Sequence, residues 1–177
     1  GRQAASLIRY AKKQGQVPVY FTKTAGLLSD VYRDLVDIGS PELRPFVFGS
    51  AKEAAITDSE GNVKFALPSK SEVKRVLDYI EKNGKLPKEY DYVLTTYSQV
   101  SNGVYEFDEN GARKERKLAK GKSFGAAALS GQRRRDAIEK LMDNGYLILD
   151  ESHTAGGDSG QGNYFQHIIQ KAKNVTF

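Results

Sequence analysis

The sequence predicts an α/β fold, a mainly parallel sheet covered by helices on both faces. Three observations predict it. Short apolar, β-branched or aromatic runs alternate with segments of helical periodicity along the chain, and the most apolar of them, YLIL at 146–149 and VPVYFT at 17–22, read as buried strands. The chain has 177 residues, of which 39% are hydrophobic, enough for one domain with a sizeable core. No internal repeat or inter-domain linker interrupts the alternation.

Taken in order, residues 1–14 carry Ala4, Ala5, Leu7, Ile8 and Ala11 at near-helical spacing, and Gly15 stands where a helix stop is expected. After the strand at 17–22, Leu27, Leu28, Val31, Leu35 and Ile38 mark one face of a second helix, stopped by Gly39-Ser40-Pro41. Residues 46–48 read as a short strand. Residues 56–67 read as a hairpin around Asp58-Ser59-Glu60-Gly61-Asn62. Ser69 followed by Glu72 matches a capping box, opening a helix with Val73, Val76, Leu77 and Ile80 inward and ending near Gly84. YVLTTY at 92–97 is a strand, and Asn110-Gly111 turns a second hairpin between 104–108 and 112–118. Residues 132–144 read as a helix with Ala137, Ile138, Leu141 and Met142 inward and Gly145 as its stop. The YLIL strand runs into Asp150-Glu151-Ser152-His153; a glycine-rich loop at 155–162, a helix near 164–173 and a short strand at 174–177 follow.

Composition excludes several classes of function. Charged residues are 28% and mean hydropathy is -0.55, which excludes collagen-like, mucin-like and wholly disordered chains. No apolar run approaches the ~20 residues that cross a bilayer, and the first residues lack a signal-peptide core. Cysteine is absent, so there is no disulfide framework, thiol nucleophile or cysteine zinc site. His153 and His167 leave little material for any other zinc site and are too far apart for a helical ligand pair. Lys+Arg 27 against Asp+Glu 22 gives a net charge of +5, a mild excess that favours nucleic acid only where it clusters.

Two acids after a strand can merely open a solvated turn, but after YLIL in an α/β pattern Asp150 and Glu151 read as the pair that carries the chemistry. Ligands of open parallel sheets bind beyond the carboxyl ends of the strands, where Asp150 and Glu151 stand. Neighbours on an extended backbone point different ways and suit different tasks. One carboxylate can hold Mg²⁺, while the next orients the water that attacks a γ-phosphate.

YLILDESH resembles motif II, the Walker B or DEAH-type box, of superfamily 2 helicases. Thr22-Lys23-Thr24, Leu27, Asp30, Arg33-Asp34-Leu35 and Asp37-Ile38-Gly39 resemble the motif Ia region of strawberry notch-type helicases, with its RDLxDIG helix. Thr95-Thr96-Tyr97-Ser98 resembles the TTYS strand of the same proteins, and Gly1-Arg2-Gln3 the GRQ after the P-loop lysine. The likeness runs from end to end, weakest at 56–67 and 104–131.

The resemblance implies one partial RecA-like P-loop NTPase domain over 1–177, from just after the Walker A lysine to just before motif III, missing its first strand and with hairpin insertions near 56–67 and 104–131. It implies that the missing strand lies beside YLIL in the sheet centre. It implies an intracellular protein, cytoplasmic, nucleoid or nuclear, working as an ATP-dependent helicase or translocase with ATP and Mg²⁺ as cofactors. Nucleic acid, DNA ahead of RNA, and a second RecA-like domain would be its partners, and no membrane is involved. Asp150 would hold Mg²⁺ and Glu151 would act as catalytic base; Ser152 and His153 would couple nucleotide state; Gly1, Arg2 and Gln3 would border the nucleotide. Thr22, Thr24 and Thr96 would contact nucleic-acid phosphates. Without the phosphate loop, the segment alone is expected to be inactive.

Arg113, Lys114, Arg116, Lys117, Lys120, Lys122 and Arg133-Arg134-Arg135 form a basic segment able to neutralise phosphates, or else a solvated face. Arg113, Lys114, Arg116 and Lys117 are its hairpin candidates, although alternate residues of a strand face opposite sides. Gly121-Lys122-Ser123 imitates the end of a P-loop, but Arg116 stands where the required glycine should. Gly157-Asp158-Ser159-Gly160 imitates a serine-protease loop without the disulfides or all-β pattern to support it. Two other readings stay open: the motor of a restriction-modification complex that translocates duplex without unwinding it, and a non-catalytic ATPase-like interaction module.

Overall fold

The computed structural model describes residues 2–152 and 159–177, and the side chains of all of these except 159–161. Its centre is a five-stranded, wholly parallel sheet in the spatial order β2-β5-β1-β8-β9. The strands are β1 (Val17–Thr22), β2 (Pro45–Phe48), β5 (Tyr92–Thr96), β8 (Gly145–Leu149) and β9 (Asn174–Thr176). Two antiparallel hairpins stand outside it, β3 (Ile56–Thr57) with β4 (Val63–Phe65), and β6 (Tyr105–Phe107) with β7 (Arg113–Glu115).

Strand alternation sorts the core into two layers. Tyr20, Tyr92, Leu94, Tyr146 and Ile148 face α1 (Arg2–Lys13) and α2 (Leu28–Asp37), which bury Ala5, Ile8, Leu28, Val31 and Leu35. Val19, Phe21, Val93, Leu147 and Leu149 face the other way, against α3 (Lys70–Asn83), α4 (Ala126–Leu141) and α5 (Ser159–Lys171). Both faces are thus covered, which is why these strands read as nearly continuous apolar runs. Each fully buried Leu, Ile or Phe side chain contributes about 1.5–3 kcal/mol relative to its exposed state.

Local signals set the helix ends. Gly15 and Gly39 adopt left-handed φ values of 74° and 87°, and Gln16 N–H and Ser40 N–H then reach back to the Ala11 and Leu35 carbonyls. Ser69 Oγ accepts from Glu72 N–H at 3.1 Å, while the Glu72 carboxylate turns to Arg75 and Tyr90 rather than completing a capping box.

Three expectations need correction. The fourth helix begins at Ala126, not 132, so the second insertion closes before it; an alanine run with high helix propensity starts the element. The last helix starts at Ser159, within the stretch read as loop. No strand can enter beside YLIL, because β8 is paired by β1 on one side and β9 on the other; the edge strands of this sheet are β2 and β9. No helix among the described residues is long and apolar enough to cross a membrane.

Gly131 lies inside α4 where a Cβ would come within 2.1 Å of the Asn102 carbonyl oxygen, so its missing side chain is what lets α4 approach the segment after β5. In an ordinary helix interior Gly→Ala stabilises by about 0.5–1 kcal/mol; here Gly131→Ala is expected to reverse that sign and destabilise by about 1–3 kcal/mol through overpacking. Equilibrium urea unfolding of the two proteins measures it.

Candidate functional site

The site follows from the register of β1 with β8. Pairing Phe21 with Leu149 brings Thr22 level with Asp150, and Asp150 N–H extends the ladder to the Phe21 carbonyl at 2.9 Å. Alternation then puts Tyr20, Thr22 and Asp150 on the α1 face. The Asp150 Oδ2 accepts from the Tyr20 hydroxyl at 2.8 Å and from the Thr22 hydroxyl at 3.3 Å. From the opposite layer Tyr97 donates to the Asp150 main-chain carbonyl at 2.6 Å. Asp150 is half-buried, and Glu151 beyond it is exposed.

Burial first, and then the hydrogen bond to the Asp150 carboxylate, push the Tyr20 phenol well above its ordinary value. Burial and the negative charges of Asp150 and Glu151 do the same to Tyr97. Both phenols therefore stay protonated and serve as donors at neutral pH. Among the described residues Glu151 is the one non-glycine with positive φ, 51°. That left-handed conformation carries a steric cost and persists where the surroundings hold it.

Asp150, Glu151 and Ser152 line a cleft of about 320 Å³ at the carboxyl rim of the sheet, together with Gln3 and Leu7 of α1, Tyr20 and Thr176. The start of α1 therefore borders the acidic pair. Its first turn holds no acid, so no side chain there offsets the partial positive charge of the helix start.

These residues fit a hard divalent cation shared with phosphates. An Asp carboxylate fixed by two hydroxyls at one oxygen keeps the other for a ligand, and such outer hydrogen bonds are what orient a metal ligand. No group of three or more potential ligand side chains occurs among the described residues, so a metal cage made of protein alone is not on offer there. Mg²⁺ does not require one, since it is commonly held by one or two carboxylates, phosphates and water.

The remaining candidates separate. Gln3 lines the cleft, whereas Arg2 points to Asp37 in an exposed ion pair at 3.7 Å. Gly1, His153 and residues 155–158 lie outside the described residues. Thr22 is fully buried with its hydroxyl on Asp150; Thr96 is buried and bonds Ser98; Thr24 is exposed beyond β1.

The arginine triplet is largely spent inside the fold. Arg133 pairs with Asp78, and Arg134 donates to the Gln99 carbonyl at 2.7 Å. Arg135, 5% exposed, donates to the carbonyls of Val100, Ser101 and Tyr105 and lies over the Tyr164 ring. Arg113 stacks on Tyr105 and pairs with Asp136, and half-buried Arg116 lies over Phe124. Lys114 and Lys117 are exposed. His167 stacks on Phe107 and bonds Glu139, a structural placement.

Sequence reasoning missed Tyr20 and the hydroxyl of Tyr97. The period of two in VPVYFT would have put Tyr20 and Thr22 on one face, but nothing local says that this face meets Asp150.

Comparison of the chain with models of known protein families, with curated proteins and with solved structures finds no match. What bears on function is thus the site's own chemistry, an acidic pair at the carboxyl rim of an all-parallel α/β sheet beside a helix N-terminus.

A double-mutant cycle between Tyr20→Phe and Asp150→Ala is expected to show a coupling of about 1.5–3 kcal/mol, the range for a hydrogen bond to a charged group. Chemical denaturation at pH 7 gives the four free energies it needs.

Proposed function

We propose that the chain is the nucleotide-binding core of a superfamily 2, strawberry notch-type helicase or translocase, with a RecA-like fold. The observation that carries this reading is the Asp150–Glu151 pair opening at the carboxyl end of buried β8 into a cleft bordered by the start of α1. The five-stranded parallel sheet with helices on both faces is compatible with a RecA-like fold.

In this reading the N–H groups at the start of α1 and Gln3 border the triphosphate, as helix N-termini do for anions. The Asp150 oxygen not engaged by Tyr20 and Thr22 would hold Mg²⁺, directly or through water. The ion supplies charge neutralisation for the phosphates. Glu151, exposed at the cleft, orients the attacking water and takes its proton, while Ser152 follows on the same wall. A second RecA-like domain completes the site. The nucleic-acid surface is carried by exposed groups, Thr24, Lys114 and Lys117, because Arg113, Arg134 and Arg135 are engaged within the fold.

Two outcomes follow for the full-length protein that contains this chain. Glu151→Gln is expected to lower ATP turnover by at least about 10²-fold while nucleotide binding is retained, since only the proton acceptor is removed. Undiminished hydrolysis would remove the assignment. Replacing Lys114 and Lys117 with Ala is expected to lower the magnitude of the slope of log affinity against log salt for duplex DNA by about 2, the release of roughly one counterion per phosphate contact. Fluorescence anisotropy titrations between 50 and 200 mM salt, the range where such slopes are steep, measure it.

A further inference from the structure

We infer that Tyr97 is the positioning residue for Glu151: its hydroxyl holds the peptide between Asp150 and Glu151 in the orientation that presents the Glu151 carboxylate to the cleft. The inference rests on the reading of Glu151 as the group that activates water.

Tyr97 opens the 3₁₀ turn at Tyr97–Val100 that follows β5, and it is 3% exposed. Its ring is stacked on Phe21 at 5.6 Å between centroids and meets Phe165 edge-on at 5.3 Å. The turn behind it is pinned in turn, by Arg134 on the Gln99 carbonyl and by Arg135 on those of Val100 and Ser101. A ring held in this way aims its hydroxyl with little freedom, and the hydroxyl donates to the Asp150 carbonyl at 2.6 Å.

That carbonyl belongs to the peptide whose N–H is that of Glu151. Immediately before it, Asp150 N–H is tied to Phe21, and immediately after it the chain takes the left-handed turn at Glu151, with φ of 51°. Glutamate, unlike glycine, asparagine or aspartate, gains nothing intrinsic from this conformation, so the contacts around the peptide must hold it. Tyr97 supplies one of these from the opposite layer. Freed of it, the peptide can rotate and Glu151 can relax into the right-handed region, which swings the carboxylate. A displacement of about 1 Å at a reacting group can cost about 10²-fold in rate.

The test uses the full-length protein and compares wild type, Glu151→Gln and Tyr97→Phe. Phenylalanine keeps the ring contacts and removes the hydroxyl alone. The expected result for Tyr97→Phe is a kcat for ATP at least about tenfold lower, with KM and Mn²⁺·ATP affinity within about twofold of wild type. The affinity is read from the Mn²⁺ magnetic-resonance signal, independently of turnover. A second variant replaces Tyr97 with 4-fluorophenylalanine, which keeps the ring and nearly the volume of the hydroxyl but has no proton to donate. Its kcat is expected to fall as far as that of Tyr97→Phe, because the bond to the Asp150 carbonyl is lost.

A kcat for Tyr97→Phe within twofold of wild type overturns the inference, as does a KM or an affinity that worsens in parallel with kcat. Should Tyr97→Phe fail to fold, a kcat for the 4-fluorophenylalanine variant within twofold of wild type overturns it equally. Where Glu151→Gln abolishes turnover and the Tyr97 variants change nothing, the Tyr97 inference fails alone. Where wild type neither hydrolyses ATP nor binds Mn²⁺·ATP, the nucleotide reading fails and takes this one with it.

Discussion

The parallel pairing of β1 with β8 is the constraint on which the rest depends. It places Phe21 beside Leu149, and one step further along both strands it sets the Tyr20 and Thr22 hydroxyls against one oxygen of Asp150. A slip of a single residue would carry every side chain of one strand to the opposite layer. Val19 and Phe21 would then lose their partners on α3, α4 and α5, and Asp150 would face apolar residues without a donor. Core packing and site geometry are therefore held by the same register, and the cost of disturbing the one protects the other.

Around that pairing the two layers play unequal parts. The α1 layer offers the helix start, Tyr20 and the cleft. The other layer offers rigidity: Phe21, Tyr97, Tyr164 and Phe165 form an aromatic chain of edge and stacked contacts. Arg135 closes it from α4, lying over Tyr164 and fastening the turn after β5. Buried almost completely, it donates from its guanidinium to three main-chain carbonyls. A fork of fixed donors suits that task, which a lysine ammonium could not copy.

Much of this was legible in the sequence. The order of strands and helices, both hairpin turns and the stops at Gly15, Gly39 and Gly84 follow from short-range chemistry, because apolar period and left-handed glycines are properties of a few neighbouring residues. The acidic pair was equally plain, since an apolar strand that ends in Asp-Glu marks a sheet rim. What escaped was everything set by distant partners. Gly131, read as the end of the second insertion, is instead a point of close approach inside α4 to Asn102. Arg133, Arg134 and Arg135 looked like one basic patch, yet the turn of a helix sends them to Asp78, Gln99 and Val100. The neighbours of YLIL also depended on strand order, which local pattern does not encode.

The two hairpins share one device. Asp58 and Asp108 each accept main-chain N–H bonds from residues two and four positions on, with Gly61 and Gly111 in the left-handed region. Each tip is thus closed by its own Asp and Gly, with Arg33 of α2 adding a bond to the Asp58 carbonyl, and borrows nothing from the five-stranded ladder. Lengthening, shortening or tagging the chain at 58–62 or 108–112 leaves every pairing of the central sheet as it was, so these tips are where insertions and reporter groups can be grafted while the acidic rim stays undisturbed.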